Sequence, residues 1–125
     1  MNIHYILYIL YIFIILIGLS YYVFVHKNKK VLRFIPEPEV LSYLSESGAI
    51  LIDVRSSNER TQGKPPKSLH LPIDRLVFDL ERLIPEKTQP IIFCCKRAIR
   101  SEGAVVIARR LGYTNVSYTG NCEFI

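Results

Sequence analysis

The stretch Pro90-Ile91-Ile92-Phe93-Cys94-Cys95-Lys96-Arg97-Ala98-Ile99-Arg100-Ser101 changes character three times within twelve residues. Ile91-Ile92-Phe93 is a short, continuous apolar run, the pattern of a strand buried on both faces of a parallel sheet. Two cysteines and a basic segment follow, and a helix is predicted from about Arg100 to Leu111, with Gly112 in the usual C-terminal position. A nucleophilic side chain therefore sits between the end of a buried strand and the start of a helix, where backbone N–H groups converge on negative charge.

Working outward, Ala49-Ile50-Leu51-Ile52 is a second continuous apolar run and ends at Asp53. Pro36-Glu37-Pro38-Glu39, followed by Val40, Leu41 and Leu44, predicts a first helix ending near Gly48, with proline tolerated in its first turn. Ser56 to Gln62 can hold a short helix that Gly63-Lys64-Pro65-Pro66 breaks. Leu69-His70-Leu71-Pro72 reads as a brief extended segment, with His70 a turn residue. Ile73 to Leu83 is helical up to Pro85, and Asn115-Val116-Ser117-Tyr118 is a last short strand. Strands alternating with helices specify an α/β domain: a small parallel sheet flanked by helices, over residues 36–125.

The N-terminal part is of another kind. All 16 Lys+Arg and 11 Asp+Glu lie beyond residue 25, and Ile3 to Val25 is almost wholly Ile, Leu, Tyr, Phe and Val. A helix of that length spans roughly 30 Å of hydrocarbon. A cleaved signal peptide would want a basic start, a shorter apolar core and a small-residue cleavage site, none of which occurs. Residues 3–25 are therefore expected as a transmembrane helix and 26–35 as a basic juxtamembrane linker. Lys and Arg follow the apolar segment but do not precede it, which predicts a single-pass cell-membrane protein with its C-terminal domain cytoplasmic. The run from His26 to Arg33 suits the anionic headgroups of a lipid bilayer and accounts for much of the +5 net charge. No nucleic-acid signature is present.

Cys94, Cys95 and Cys122 are the only cysteines. An adjacent pair with one further partner fits a reduced compartment and a reactive thiol better than a disulfide framework, with Cys122 a packed or exposed thiol. No Cys-x-x-Cys pair or histidine cluster supplies a tetrahedral set, so no metal site is expected. Around Cys95, the start of the helix and the cations Lys96, Arg97 and Arg100 favour Cys–S⁻ over Cys–SH.

These segments, in this order and spacing, resemble the rhodanese family across the soluble part of the chain. The resemblance is carried by Leu51-Ile52-Asp53-Val54-Arg55, Glu59, Gly63, Leu71-Pro72, Pro90-Ile91-Ile92-Phe93, the cysteine loop, and Leu111-Gly112-Tyr113-Thr114-Asn115-Val116. It implies that Cys95 is the catalytic cysteine and carries sulfane sulfur as a persulfide from a donor such as thiosulfate to a thiol or other nucleophile. It implies further that Lys96, Arg97, Ala98, Ile99 and Arg100 form the anion-binding loop, that Asp53 and Arg55 are structural supports, and that no cofactor is needed. The chain departs from the family pattern at Ala98, where the loop usually has Gly. A Gly-His-Ile-Pro-Gly segment has become Gly63-Lys64-Pro65-Pro66-Lys67, and the terminal Gly-Gly is Gly120-Asn121. If position 98 needs a positive φ, alanine there costs on the order of 1 kcal/mol.

Two other functions fit the same residues. One is a catalytically weak, membrane-tethered docking module. The other is a phosphatase, because the cell-cycle dual-specificity phosphatases resemble rhodaneses in fold and place five residues between cysteine and arginine, the spacing of Cys94 and Arg100.

Overall fold

The computed structural model describes residues 1–27 and 32–125. Residues 28–31, the middle of the predicted basic linker, lie outside the described residues. The chain divides into two compact units, Met1–Val31 and Leu32–Ile125.

In the first unit, α1 runs from Ile3 to Lys27. At 1.5 Å per residue this is roughly 37 Å of helix. Its isoleucine, leucine, tyrosine and phenylalanine side chains are exposed all round, and by length and composition it can cross a membrane.

The second unit is built on four parallel strands, β1 (Ile50–Asp53), β2 (Leu69–His70), β3 (Ile91–Cys95) and β4 (Val116–Asn121), in the order β2-β1-β3-β4. Between them lie α2 (Glu37–Ser47), α3 (Ser57–Thr61), α4 (Leu76–Leu83) and α5 (Ile99–Arg110). The stretch expected as one helix from Ile73 is a 3-10 turn, Ile73–Arg75, leading into α4.

The two apolar runs pair in register, Leu51 beside Ile92 and Ile52 beside Phe93, and so divide the core. Ile52, Ile91, Phe93 and Cys95 pack on one face with Leu76 and Leu80 of α4 and Ala104, Val105 and Ala108 of α5. Leu51, Ile92 and Cys94 pack on the other with Val40 of α2 and Cys122. Alternation along β3 thus sends the adjacent cysteines to opposite faces of the sheet.

Helix ends follow their local chemistry. Gly48 closes α2 at φ 68°, its N–H donating to the Leu44 carbonyl at 3.1 Å. After α5, Gly112 at φ 99° lets the N–H of Tyr113 reach back to the Ala108 carbonyl at 3.1 Å. The Tyr113 hydroxyl, pushed above its usual pKa by burial, donates to the Ile84 carbonyl and fastens the end of α4.

Two expected boundaries move. Residues 32–35, read as linker, lie alongside β4: the N–H of Ile35 donates to the Tyr118 carbonyl at 2.8 Å, and that of Tyr118 to the Arg33 carbonyl at 3.0 Å. β4 also runs on to Asn121, past an irregularity between Phe93 and Cys95 of its partner strand. A Cβ at Gly120 would meet the Glu37 carboxylate, whose Oε1 accepts the N–H of Asn121 at 2.9 Å, so a larger residue there would displace that side chain.

Candidate active site

β3 runs on from the apolar run through both cysteines to Cys95, and α5 begins at Ile99, one residue before the predicted start at Arg100. Between them Ala98 takes a left-handed conformation, φ 67° and ψ −21°, as the residue preceding the helix. The turn it makes points the first turn of α5 back at the strand end. The N–H groups of that turn have no acceptor within the helix. One of them, on Ser101, donates to Cys95 Sγ at 3.4 Å.

Cys95 is only 1% exposed, yet it is one of the residues lining a cavity of about 300 Å³, with Lys96, Arg97, Ile99 and Arg100. Lys96, Arg97 and Ile99 are solvent-exposed at its mouth, and Ala98 and Arg100 are half-buried. Of the loop residues expected at the site, Lys96, Arg97, Ile99 and Arg100 line this cavity with Cys95, and Ala98 does not. A second hollow, of about 420 Å³, lies among Ser57, Arg60, Thr61, Gly63, Lys64 and His70 and has no cysteine in its lining.

Arg100 is paired with a carboxylate. Its Nη1 and Nη2 donate to Oε1 and Oε2 of Glu59 at 2.6 and 2.8 Å. Glu59 is in turn held in a capping box, accepting from the N–H of Ser56 while its own N–H donates to Ser56 Oγ. The Arg100 guanidinium draws the Glu59 carboxyl down to about 2, against the opposing effect of burial. Arg100 is raised by the same bond.

Asp53 and Arg55 occupy the next layer and do not line the cavity. Arg55, 1% exposed, donates through Nε and Nη2 to the two Asp53 oxygens at 3.0 Å each, and its Nη2 also donates to the Gly63 carbonyl at 2.5 Å. Arg60 adds a further donor to Asp53 at 3.1 Å. Burial pushes the Asp53 carboxyl up, but the bonds from the Arg55 side chain and backbone outweigh it, so the net direction is down. His70 is a strand residue, its Nε2 2.8 Å from the Arg55 carbonyl, which makes Nε2 the protonated nitrogen.

The cysteine expectation is corrected. Cys94 and Cys122 form a disulfide, with Cα atoms 5.3 Å apart, and Cys95 alone is a free thiol. Adjacent cysteines avoid competing for one partner because strand alternation faces them apart. The disulfide lies against Asp53, which shares a small cluster with both sulfurs. With the sulfurs bonded to each other and the Asp53 oxygens held by Arg55 and Arg60, that trio offers no open metal ligand.

Sequence reasoning assigned no role to Ser101 or Glu59. Ser56-x-x-Glu59 is a visible capping signature, but its tie to Arg100 is a tertiary contact. Ser101 looked like an ordinary helix-start serine.

The family description "Rhodanese-like domain" matches residues 37–120. The chain is similar to a rhodanese domain-containing protein of Drosophila melanogaster, 40% identical over 78 residues that make up 53% of this chain and 70% of that one. It is similar to the thiosulfate:glutathione sulfurtransferase of Homo sapiens, 31% identical over 96 residues, 66% of this chain and 84% of that one. Among solved structures, a human single-domain sulfurtransferase superposes with a TM-score of 0.61 at 28% identity, covering 71% of this chain and 89% of its own. A Rhodopseudomonas palustris protein described as a possible tyrosine phosphatase superposes with a TM-score of 0.64 at 20% identity, covering 73% and 76%, a likeness of fold alone. With its parallel sheet, its strand-to-helix cysteine loop and this match over most of its second unit, the chain belongs to the rhodanese-like domain family.

Proposed function

We propose that the chain is a membrane-tethered sulfurtransferase in which Cys95 carries sulfane sulfur as a persulfide. The observation that carries this reading is the placement of one buried free thiol at the start of α5, bordering a small cavity with cations at its mouth. The Cys95 thiolate attacks the outer sulfur of thiosulfate, the Sγ–S bond forms, and the thiosulfate S–S bond breaks with its electron pair leaving on sulfite. An acceptor thiolate then attacks the outer sulfur of Cys95–S–S⁻, taking it as a new persulfide and returning the Cys95 thiolate. Backbone donors of the loop hold the negative sulfur, while Lys96 and Arg97 draw in anionic donors. No metal or organic cofactor enters either step.

The phosphatase alternative would use Cys94, but that side chain lies on the far face of the sheet and is bonded to Cys122. In this reading α1 anchors the domain in a lipid bilayer, the basic segment after it meets anionic headgroups, and the domain faces the cytoplasm. The sulfur donor is a small anion and the acceptor is a thiol.

Intact mass of the full chain in detergent micelles, after thiosulfate and without reductant, tests the proposal. The expected result is one added sulfur atom, absent in Cys95→Ser and removed by a small thiol. No added sulfur, or sulfur retained in Cys95→Ser, would overturn it and leave the docking role as the remaining reading.

A further inference from the structure

Cys95 Sγ meets Ser101 twice. Besides receiving the N–H at 3.4 Å, the thiol lies within donating distance, 3.4 Å, of Ser101 Oγ. The same hydroxyl is 2.7 Å from the Thr119 carbonyl oxygen and 2.9 Å from that of Ala98. A hydroxyl has one hydrogen and two acceptor lone pairs, so it cannot donate to both carbonyls and to the sulfur at once. Ser101 is fully buried, so these protein groups are its partners.

For the neutral thiol, one arrangement uses each group once: Cys95 S–H donates to Ser101 Oγ, and Ser101 O–H donates to the Thr119 carbonyl. A thiolate has no hydrogen to offer. Rotation about the Ser101 Cβ–Oγ bond turns the hydroxyl hydrogen onto the sulfur, and no heavy atom need move.

We propose that the Ser101 hydroxyl is a two-position hydrogen-bond switch for Cys95, accepting from the thiol and donating to the thiolate, and is a further catalytic residue of sulfur transfer. Its part in turnover rests on the sulfurtransferase reading, whereas the switch itself is a property of Cys95 in any chemistry. When the Cys95 proton leaves through the cavity to solvent, the hydroxyl hydrogen moves from the Thr119 carbonyl to Sγ. When Sγ has taken up the outer sulfur and sulfite has left, the charge sits one atom farther out and the hydroxyl returns to Thr119. When an acceptor thiolate removes that sulfur, charge reappears on Sγ and the hydroxyl turns to it again. Ser101 thus assists Cys95 as nucleophile in the first step and as leaving group in the second.

The test uses Ser101→Ala in the full chain, which deletes the hydroxyl and keeps the N–H. Iodoacetamide alkylation of Cys95 is followed against pH with no sulfur donor present. The pH midpoint is expected to rise by about one unit, leaving about tenfold less reactive thiol at neutral pH. Alkylation at high pH should match the parent, as should the circular dichroism spectrum. Persulfide transfer to a thiol should fall about tenfold at neutral pH and recover as pH rises. An unchanged midpoint in a folded variant would overturn the switch, whatever happens to turnover. A raised midpoint in a chain that takes up no sulfur would uphold the switch and reject the sulfurtransferase reading. If the alanine variant does not fold, Ser101→Cys, a similar shape with a weaker donor, carries the test; its midpoint is again expected to rise, and an unchanged value overturns the proposal.

Discussion

Glu59 and Arg100 form a two-pronged ion pair, at 2.6 and 2.8 Å, between residues 41 apart in sequence, tying α3 to the first turn of α5. The pair is only partly buried, so its contribution to stability is about 1 kcal/mol. Its pH dependence identifies it. Glu59 is lowered from 4.5 to about 2 in the folded chain, so its contribution is complete above pH 4.5 and is lost as pH falls toward 2. Glu59→Gln should therefore melt earlier than the parent at neutral pH, and the difference should close as the pH approaches 2. Asp53 also loses its pairing in acid, but it is present in both proteins and cancels in the comparison. A difference independent of pH would show that Glu59 acts through its capping box alone.

Among the described residues, both non-glycine residues with positive φ, Ala98 at 67° and Lys67 at 55°, stand where the family pattern has glycine. An L-residue in that region costs roughly 1 kcal/mol relative to glycine, less the entropy that glycine loses on folding. Ala98→Gly and Lys67→Gly should each leave stability unchanged or raise it by up to about 1 kcal/mol. Thermal melts of the two variants and their combination check this. A loss above 1 kcal/mol would mean that the backbone strain inferred from φ is relieved elsewhere.

Much of the site was legible because it rests on local rules. Two unbroken apolar runs gave paired central strands, and the helix start after the cysteines followed from the change in periodicity. The missing glycine at position 98 raised the question of a positive φ there, and Ala98 adopts one. What escaped notice depends on distance in sequence. Cys94 pairs with a residue 28 positions away, and nothing local distinguishes Cys122 from a packed thiol. Phe34 and its neighbours read as linker because their partner, Tyr118, lies at the other end of the domain. Ser101 has an ordinary helix-start identity, and its importance comes from being buried against Cys95 and Thr119 together.

The disulfide makes a countable prediction. Denatured without reductant, the chain should give one titratable thiol, and after reduction three. Closing a loop of this size contributes about 3.5 kcal/mol by restricting the unfolded chain. Cys122→Ser should therefore lower the melting temperature, yet leave the alkylation rate of Cys95 close to that of the parent, because the sulfurs lie on opposite faces of the sheet. Three thiols in the unreduced chain, or a Cys95 rate that follows the disulfide, would contradict this arrangement.

Lys96 and Arg97 test the electrostatic part of the site. Both are exposed at the cavity mouth, so replacing them with alanine should change stability by less than about 0.5 kcal/mol. The apparent affinity for thiosulfate should nevertheless weaken, most at low salt, and approach that of the parent as salt screens the charges. If the double variant binds thiosulfate as the parent does at every salt concentration, the loop backbone and Arg100 alone hold the anion.

Topology is where two physical arguments pull apart. Lys and Arg follow α1 and none precedes it, the pattern on which the proposed cytoplasmic orientation rests, whereas a disulfide favours an oxidising compartment. The flanking charges act first, because orientation is set as the helix inserts, before β3 and the C-terminal turn can bring Cys94 and Cys122 together. Burial also shields the bond, since both sulfurs lie in residues no more than 1% exposed and a reductant must wait for the domain to open. In bacterial spheroplasts expressing the full chain, protease added outside should leave the domain intact and detergent should make it cleavable. Digestion outside with the membrane unbroken would reverse the orientation, and it would place the disulfide in the compartment where such bonds persist.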